Sequence, residues 1–201
     1  MIIEEHKAIF IHIPKNAGST VKNLLVGDDL FNKLKRPWRH RRHKDVNNKD
    51  YRKFAIVRNP YERMVSMYAY LNGFLTGNDL LNTYQWDNKS ESYKIAETMK
   101  LNVDGFKEFV KDPTGEGWGD AWRLRLLNKQ CYWVDKTVTI LKYENLEDEL
   151  SEFFGEKIDL QIINKTIHDD FSVYYDEESL DIVYNRYKED FKRFNYDNRK
   201  I

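Results

Sequence analysis

Apolar and polar positions alternate along this chain in patterns that sort it into strands and helices. Ala8 to Ile13 reads Ala-Ile-Phe-Ile-His-Ile, a short apolar run closed by Pro14, as a strand covered on both faces of a parallel sheet requires. A loop and a helix follow. Ser19 or Thr20 can cap that helix, which sets Val21, Leu24 and Leu25 on one face. The second strand is Phe54 to Val57, followed by Asn59-Pro60-Tyr61-Glu62, a helix start with proline at the first helical position and glutamate at the third. Met64, Val65, Tyr68 and Leu71 then recur at core-facing helical spacing, to about Gly73. Two strand–helix units in succession predict an α/β sheet.

Between Asn72 and Gly119 the pattern weakens: only Val103 to Val110 looks helical and Pro113 to Gly119 reads as a loop, so a surface excursion is expected. Order returns with a helix at Ala121 to Lys129, a strand at Thr137 to Leu141, and a helix from Asn145 to Phe154 that Gly155 can end. Leu180, Val183, Tyr184, Tyr187, Phe191 and Phe194 mark a long final helix with one face against a core.

Composition narrows the picture. At 201 residues one domain over residues 1–201 is the expectation, and 41% hydrophobic residues with 14% aromatics suit a folded chain. The 33 basic residues balance the 33 acidic ones, so no global field draws nucleic acid or membrane. One cysteine, Cys131, excludes an intramolecular disulfide and a cysteine zinc site and suits a reducing compartment. The first residues carry no signal-peptide pattern and no long apolar run occurs, so a cytoplasmic protein without a membrane span is expected. Asn88-Lys-Ser90 and Asn164-Lys-Thr166 match the glycosylation pattern, a match read as chance in that setting.

Chemistry concentrates in two segments. The first, Ile13-Pro-Lys15-Asn16-Ala17-Gly18-Ser19-Thr20, lies between a strand and a helix, where backbone N–H groups and the helix dipole attract an anion and Lys15 adds a full charge. In a nucleotide triphosphatase loop the lysine would come after the last glycine with a metal-binding hydroxyl next; here it comes first. An ordinary strand–helix turn carrying a lysine is the plain alternative. The second segment, Val57-Arg58-Asn59-Pro60-Tyr61-Glu62-Arg63-Met64-Val65-Ser66, leaves the second strand, and ligands collect at such strand ends. Arg58 offers a planar fork for phosphate and Ser66 a hydroxyl further along the helix; alone, they would be an exposed arginine and a helix serine.

Taken together, these segments resemble the carbohydrate sulfotransferases that use 3′-phosphoadenosine 5′-phosphosulfate (PAPS). The likeness continues through Leu141-Lys-Tyr-Glu-Asn-Leu146, Ile163-Asn-Lys-Thr166, Tyr174-Tyr-Asp176 and the last helix to Tyr196, leaving Asn72 to Gly119 poorly covered. The resemblance implies a P-loop-like α/β domain with a central parallel sheet flanked by helices. It also implies sulfuryl transfer to a hydroxyl or amine, with a carbohydrate acceptor and adenosine 3′,5′-bisphosphate as product. Lys15 would contact the bridging and sulfuryl oxygens, and Asn16, Ala17, Gly18, Ser19 and Thr20 would cradle the 5′-phosphate. Arg58 and Ser66 would hold the 3′-phosphate. Asn164, Lys165 and Thr166 resemble a loop closing over the nucleotide, or else form a connecting turn. No metal is expected, since the donor's reacting end lacks a triphosphate.

A base must take the acceptor's proton. His12 sits inside a strand, His6 precedes the fold and His168 lies beside Asp169 and Asp170, leaving His43, with His40 as alternative, in the segment where the resemblance puts its histidine. The run Lys33-Leu-Lys-Arg-Pro-Trp-Arg-His-Arg-Arg-His-Lys44 could hold nucleic acid or form a solvated loop. Beside the other segments it reads as a rim that attracts the anionic donor or acceptor, with no nucleic-acid partner. Asp79, Asp87 and Glu91 could orient a sugar, though nothing in their spacing says so. Two rivals stand: an ATP-dependent P-loop phosphotransferase, and a non-catalytic basic module that binds polyanions.

Overall fold

The structure is a computed structural model and describes residues 1–21, 24, 42, 50–75, 105–112, 126–160 and 170–198. It divides into two compact units.

The first unit holds a four-stranded sheet in the order β1 (Ile2–Ile3), β2 (Ala8–Phe10), β3 (Arg52–Val57), β4 (Val138–Lys142). Strands β2, β3 and β4 run parallel, in a register that pairs Phe54 with both Phe10 and Thr139 and ends on Val57 opposite Lys142. The expected mixed α/β class with a mostly parallel sheet is observed. From Phe54 to Val57 every residue of β3 is buried, the central-strand condition that its unbroken apolar run encodes. Strand β1 was not foreseen. It pairs antiparallel with β2 through Ile2 opposite Ile9, across a turn in which Lys7 adopts φ 45°. Two residues are too few to show a period, and a lysine in the left-handed region carries no glycine or asparagine signal.

Helix α3 (Leu146–Phe154) lays Leu146, Leu150 and Phe153 into the core with Phe54, Ile56 and Leu141. The Phe54 and Phe153 rings lie 4.7 Å apart. Gly155 ends the helix as expected, at φ 74° with its N–H bonded to the Ser151 carbonyl at 2.8 Å. An earlier helix opens at Gly18 rather than at a Ser19 or Thr20 cap: the Val21 N–H already bonds to the Ala17 carbonyl at 3.0 Å. The chain turns left-handed at Lys15 (φ 68°) and Ala17 (φ 54°), which brings it into helical register before either hydroxyl is reached.

In the second unit α1 (Pro60–Leu75) buries Met64, Val65 and Tyr68, as the spacing predicts; the Leu71 side chain lies outside the described residues. Helix α2 (Phe106–Lys111) overlaps the expected segment and runs one residue past its end, and Phe106 and Phe109 pack edge-on or tilted against Tyr68. The long helix α4 (Glu177–Phe194) starts on a capping box, Asp176 accepting from the Ser179 N–H at 2.8 Å and the Ser179 hydroxyl accepting from the Asp176 N–H at 2.8 Å. It kinks at Tyr187 (φ −110°, ψ 18°), whose buried hydroxyl donates to the Leu127 carbonyl at 3.0 Å. The loop at Pro113 to Gly119 and most of the helix expected before Lys129 lie outside the described residues. No helix among the described residues is long and apolar enough to cross a membrane.

Candidate active site

The first unit brings the Lys15 loop and Arg58 to neighbouring strand ends. Past β2 the chain stays extended, the Ile11 N–H bonding to the Phe54 carbonyl at 2.8 Å, and Ile11 and Ile13 are fully buried. Pro14 has no N–H to continue the ladder, and the loop turns away there. Its two left-handed residues are not glycine, so each carries strain of about 1–2 kcal/mol. Strain of that size persists where the surroundings fix the backbone, and here the fixing residue is Asn16.

Asn16 is fully buried. Its side-chain amide donates to the Ile56 carbonyl at 2.8 Å and to Oε1 of Gln130 at 2.6 Å. Gln130, also fully buried, opens a turn of 3-10 helix (Gln130–Tyr132) and grips Arg58 by its backbone: Oε1 accepts from the Arg58 N–H at 2.9 Å and Nε2 donates to the Arg58 carbonyl at 2.8 Å. The next N–H, of Asn59, bonds to the Glu144 carboxylate at 2.8 Å. The Arg58 guanidinium lies 4.2 Å over the Tyr143 ring, a stacking contact that holds a planar cation in one orientation.

Two cations therefore share one region. Burial, and secondly the Arg58 charge, push the Lys15 ammonium down to about 7 from the usual 10.5. An arriving anion would offset the repulsion between the two cations and supply the counter-charge that burial denies the ammonium, so the pair can receive an anion. Thr20 is buried and Ser19 exposed, leaving the Ser19 hydroxyl open to solvent.

Gly18 is required by a neighbour rather than by its own dihedral angles. A Cβ there would stand 1.7 Å from Nε2 of His12, whose ring stacks on Phe10 at 5.6 Å between centroids. Gly18→Ala is expected to destabilise the protein by about 1–3 kcal/mol despite alanine's better helix propensity, and adding His12→Ala should recover most of the loss. Urea unfolding of the single and double variants measures this. An unchanged midpoint in Gly18→Ala would show that His12 yields freely.

Ser66 is buried on α1 in the second unit. His40, His43, Asn164, Lys165 and Thr166 lie outside the described residues. From the basic run, Arg42 is described: its guanidinium sits 4.0 Å over the Tyr132 ring and donates to the Tyr132 hydroxyl at 3.3 Å. Sequence reasoning missed Gln130, Tyr143 and Glu144. Tyr143 and Glu144 stand in a segment whose likeness to the family was visible without a role attached. Gln130 gave no signal, since its partners are 114 and 72 residues away.

A parallel sheet that delivers a lysine loop and an arginine to adjacent strand ends offers an anionic ligand a place in the crevice there. The chain belongs to the sulfotransferase family, whose model matches residues 1–197, and it is a sulfotransferase enzyme that moves a sulfuryl group to an acceptor substrate. No curated protein and no solved structure matches it significantly.

Proposed function

We propose that this sulfotransferase takes its sulfuryl group from PAPS and delivers it to a carbohydrate hydroxyl or amine, releasing adenosine 3′,5′-bisphosphate. The observation that carries the reading is the pairing of Lys15 with Arg58 through Asn16 and Gln130, two cations on separate strand ends, as a donor with phosphates at both ends of its ribose needs. The acceptor oxygen or nitrogen attacks sulfur, the bond between sulfur and the 5′-phosphate oxygen breaks, and its electron pair stays on that phosphate. Lys15 and the loop N–H groups of residues 16–20 stabilise the charge that gathers there. Arg58, with Ser66, holds the 3′-phosphate. His43, or His40, takes the acceptor's proton; the docking of neighbouring Arg42 on Tyr132, two residues from Gln130, supports bringing that segment to the site. Asn164, Lys165 and Thr166 close over the nucleotide. The reading gives no role to a metal.

We read both units as parts of one sulfotransferase domain, since the family match runs across them, and the lone Cys131 suits a cytoplasmic setting. An ATP-dependent phosphotransferase fits less well because Lys15 precedes Gly18 and the residue directly after it is Asn16 rather than the serine or threonine that would hold magnesium. Calorimetry is expected to show adenosine 3′,5′-bisphosphate binding more tightly than ATP with magnesium, and the opposite order would overturn the reading. Radiolabelled donor screened against glycans, small alcohols and amines identifies the acceptor.

A further inference from the structure

The hydrogen bonds of Gln130 go beyond what a buried glutamine needs to be satisfied. Its amide makes the reciprocal N–H to carbonyl pair with Arg58 that two neighbouring strands make, one residue past the end of the β3–β4 register at Val57 and Lys142. It thus adds a rung to the sheet where β4 has stopped pairing. The same Oε1 takes the shortest of its contacts, 2.6 Å, from Asn16, whose other donated bond goes to Ile56 on β3. One side chain therefore ties the loop that carries Lys15 to the backbone that carries Arg58.

We propose that Gln130 is a positioning residue that sets the spacing between the two anion-binding segments, and that through this spacing the protein selects a nucleotide phosphorylated at both 3′ and 5′ positions. The inference rests on the donor reading above. Its physical basis is that the second phosphate of a two-phosphate ligand binds intramolecularly, an advantage that vanishes when the two sites no longer hold the ligand's own spacing. A ligand with one phosphate gains nothing from that spacing. If Gln130 merely stabilised the fold, its loss would affect every ligand alike.

The test measures the affinity of adenosine 3′,5′-bisphosphate, adenosine 5′-monophosphate and adenosine 3′-monophosphate for the full chain and for Gln130→Leu, which keeps the bulk and removes the bonds. Gln130→Asn, which keeps an amide but is one methylene too short to span Asn16 and Arg58, serves as the second variant should the leucine variant fail to fold. In the folded variant the bisphosphate is expected to weaken roughly tenfold or more and each monophosphate by less than about threefold. Equal losses for all three ligands, or no loss for any, overturn the inference while the unaltered chain's preference for the bisphosphate keeps the donor reading. An unaltered chain with no preference for the bisphosphate over the monophosphates overturns the donor reading and the inference with it.

Discussion

An alanine at position 15 is expected to lower kcat about a hundredfold or more, the scale on which one preorganised charge-stabilising group acts. The backbone there is already left-handed with an L-residue in place, so the substitution removes the ammonium without changing the dihedral preference. The pH dependence identifies the group. In the unliganded protein Lys15 keeps its proton only below about 7, whereas in the unfolded chain it keeps it to near 10.5. Folding therefore carries a penalty for the buried cation that is full below about 7 and fades as pH rises toward 10.5, so the empty protein grows more stable across that window. Donor binding runs the other way: the anion favours the charged lysine, and affinity falls as pH rises through about 7. Lys15→Ala should flatten both trends, while Arg58→Ala should mainly raise the donor KM. Full turnover in Lys15→Ala at every pH would move the chemistry elsewhere.

His43→Ala is expected to cut the maximal rate by about two to four orders of magnitude with donor affinity little changed, as loss of a general base does. The assignment rests on the histidine's place in the basic run, beside Arg41, Arg42 and Lys44 and before β3. Arg42, the described member of that group, is fixed on Tyr132 beside the Gln130 turn, so the histidine's neighbour is anchored within the unit that carries Lys15. Steady-state rates of His43→Ala and His40→Ala with saturating donor decide between them. A collapsed rate in His40→Ala beside an unchanged one in His43→Ala gives the role to His40, and two fully active variants discard the assignment.

What could be read along the chain was what neighbours in sequence decide. Strand β3 and helix α1 announce themselves because an apolar run, a proline at the first helical position and a 3-4 stripe all lie within one short stretch. Gly155 was legible for the same reason: a helix end needs its left-handed residue at one fixed place. Lys15 and Arg58 stood out because each follows a readable strand and precedes a readable helix, the place where ligands of such sheets collect. The gaps are of another kind. Gln130 works through partners that only the folded sheet brings near, the kink at Tyr187 accompanies a hydroxyl that reaches Leu127, and the need for glycine at position 18 comes from a His12 ring lying where a Cβ would stand. Left-handed Lys15 and Ala17 were invisible because neither residue type favours that conformation.

Those two positions give the anion loop a character of its own. It is a locally frustrated stretch, in which the sequence's own preference opposes the shape that the surrounding protein imposes. Ala17 has no charge to defend, so a residue tolerant of the left-handed region, such as glycine or asparagine, could relax the conflict there. Lys15 has no such freedom, since every residue at ease in its conformation would forfeit the ammonium. Efforts to make this protein more heat-resistant thus meet two sources of strain on either side of Asn16, one of them negotiable and the other bound up with keeping a cation in the loop.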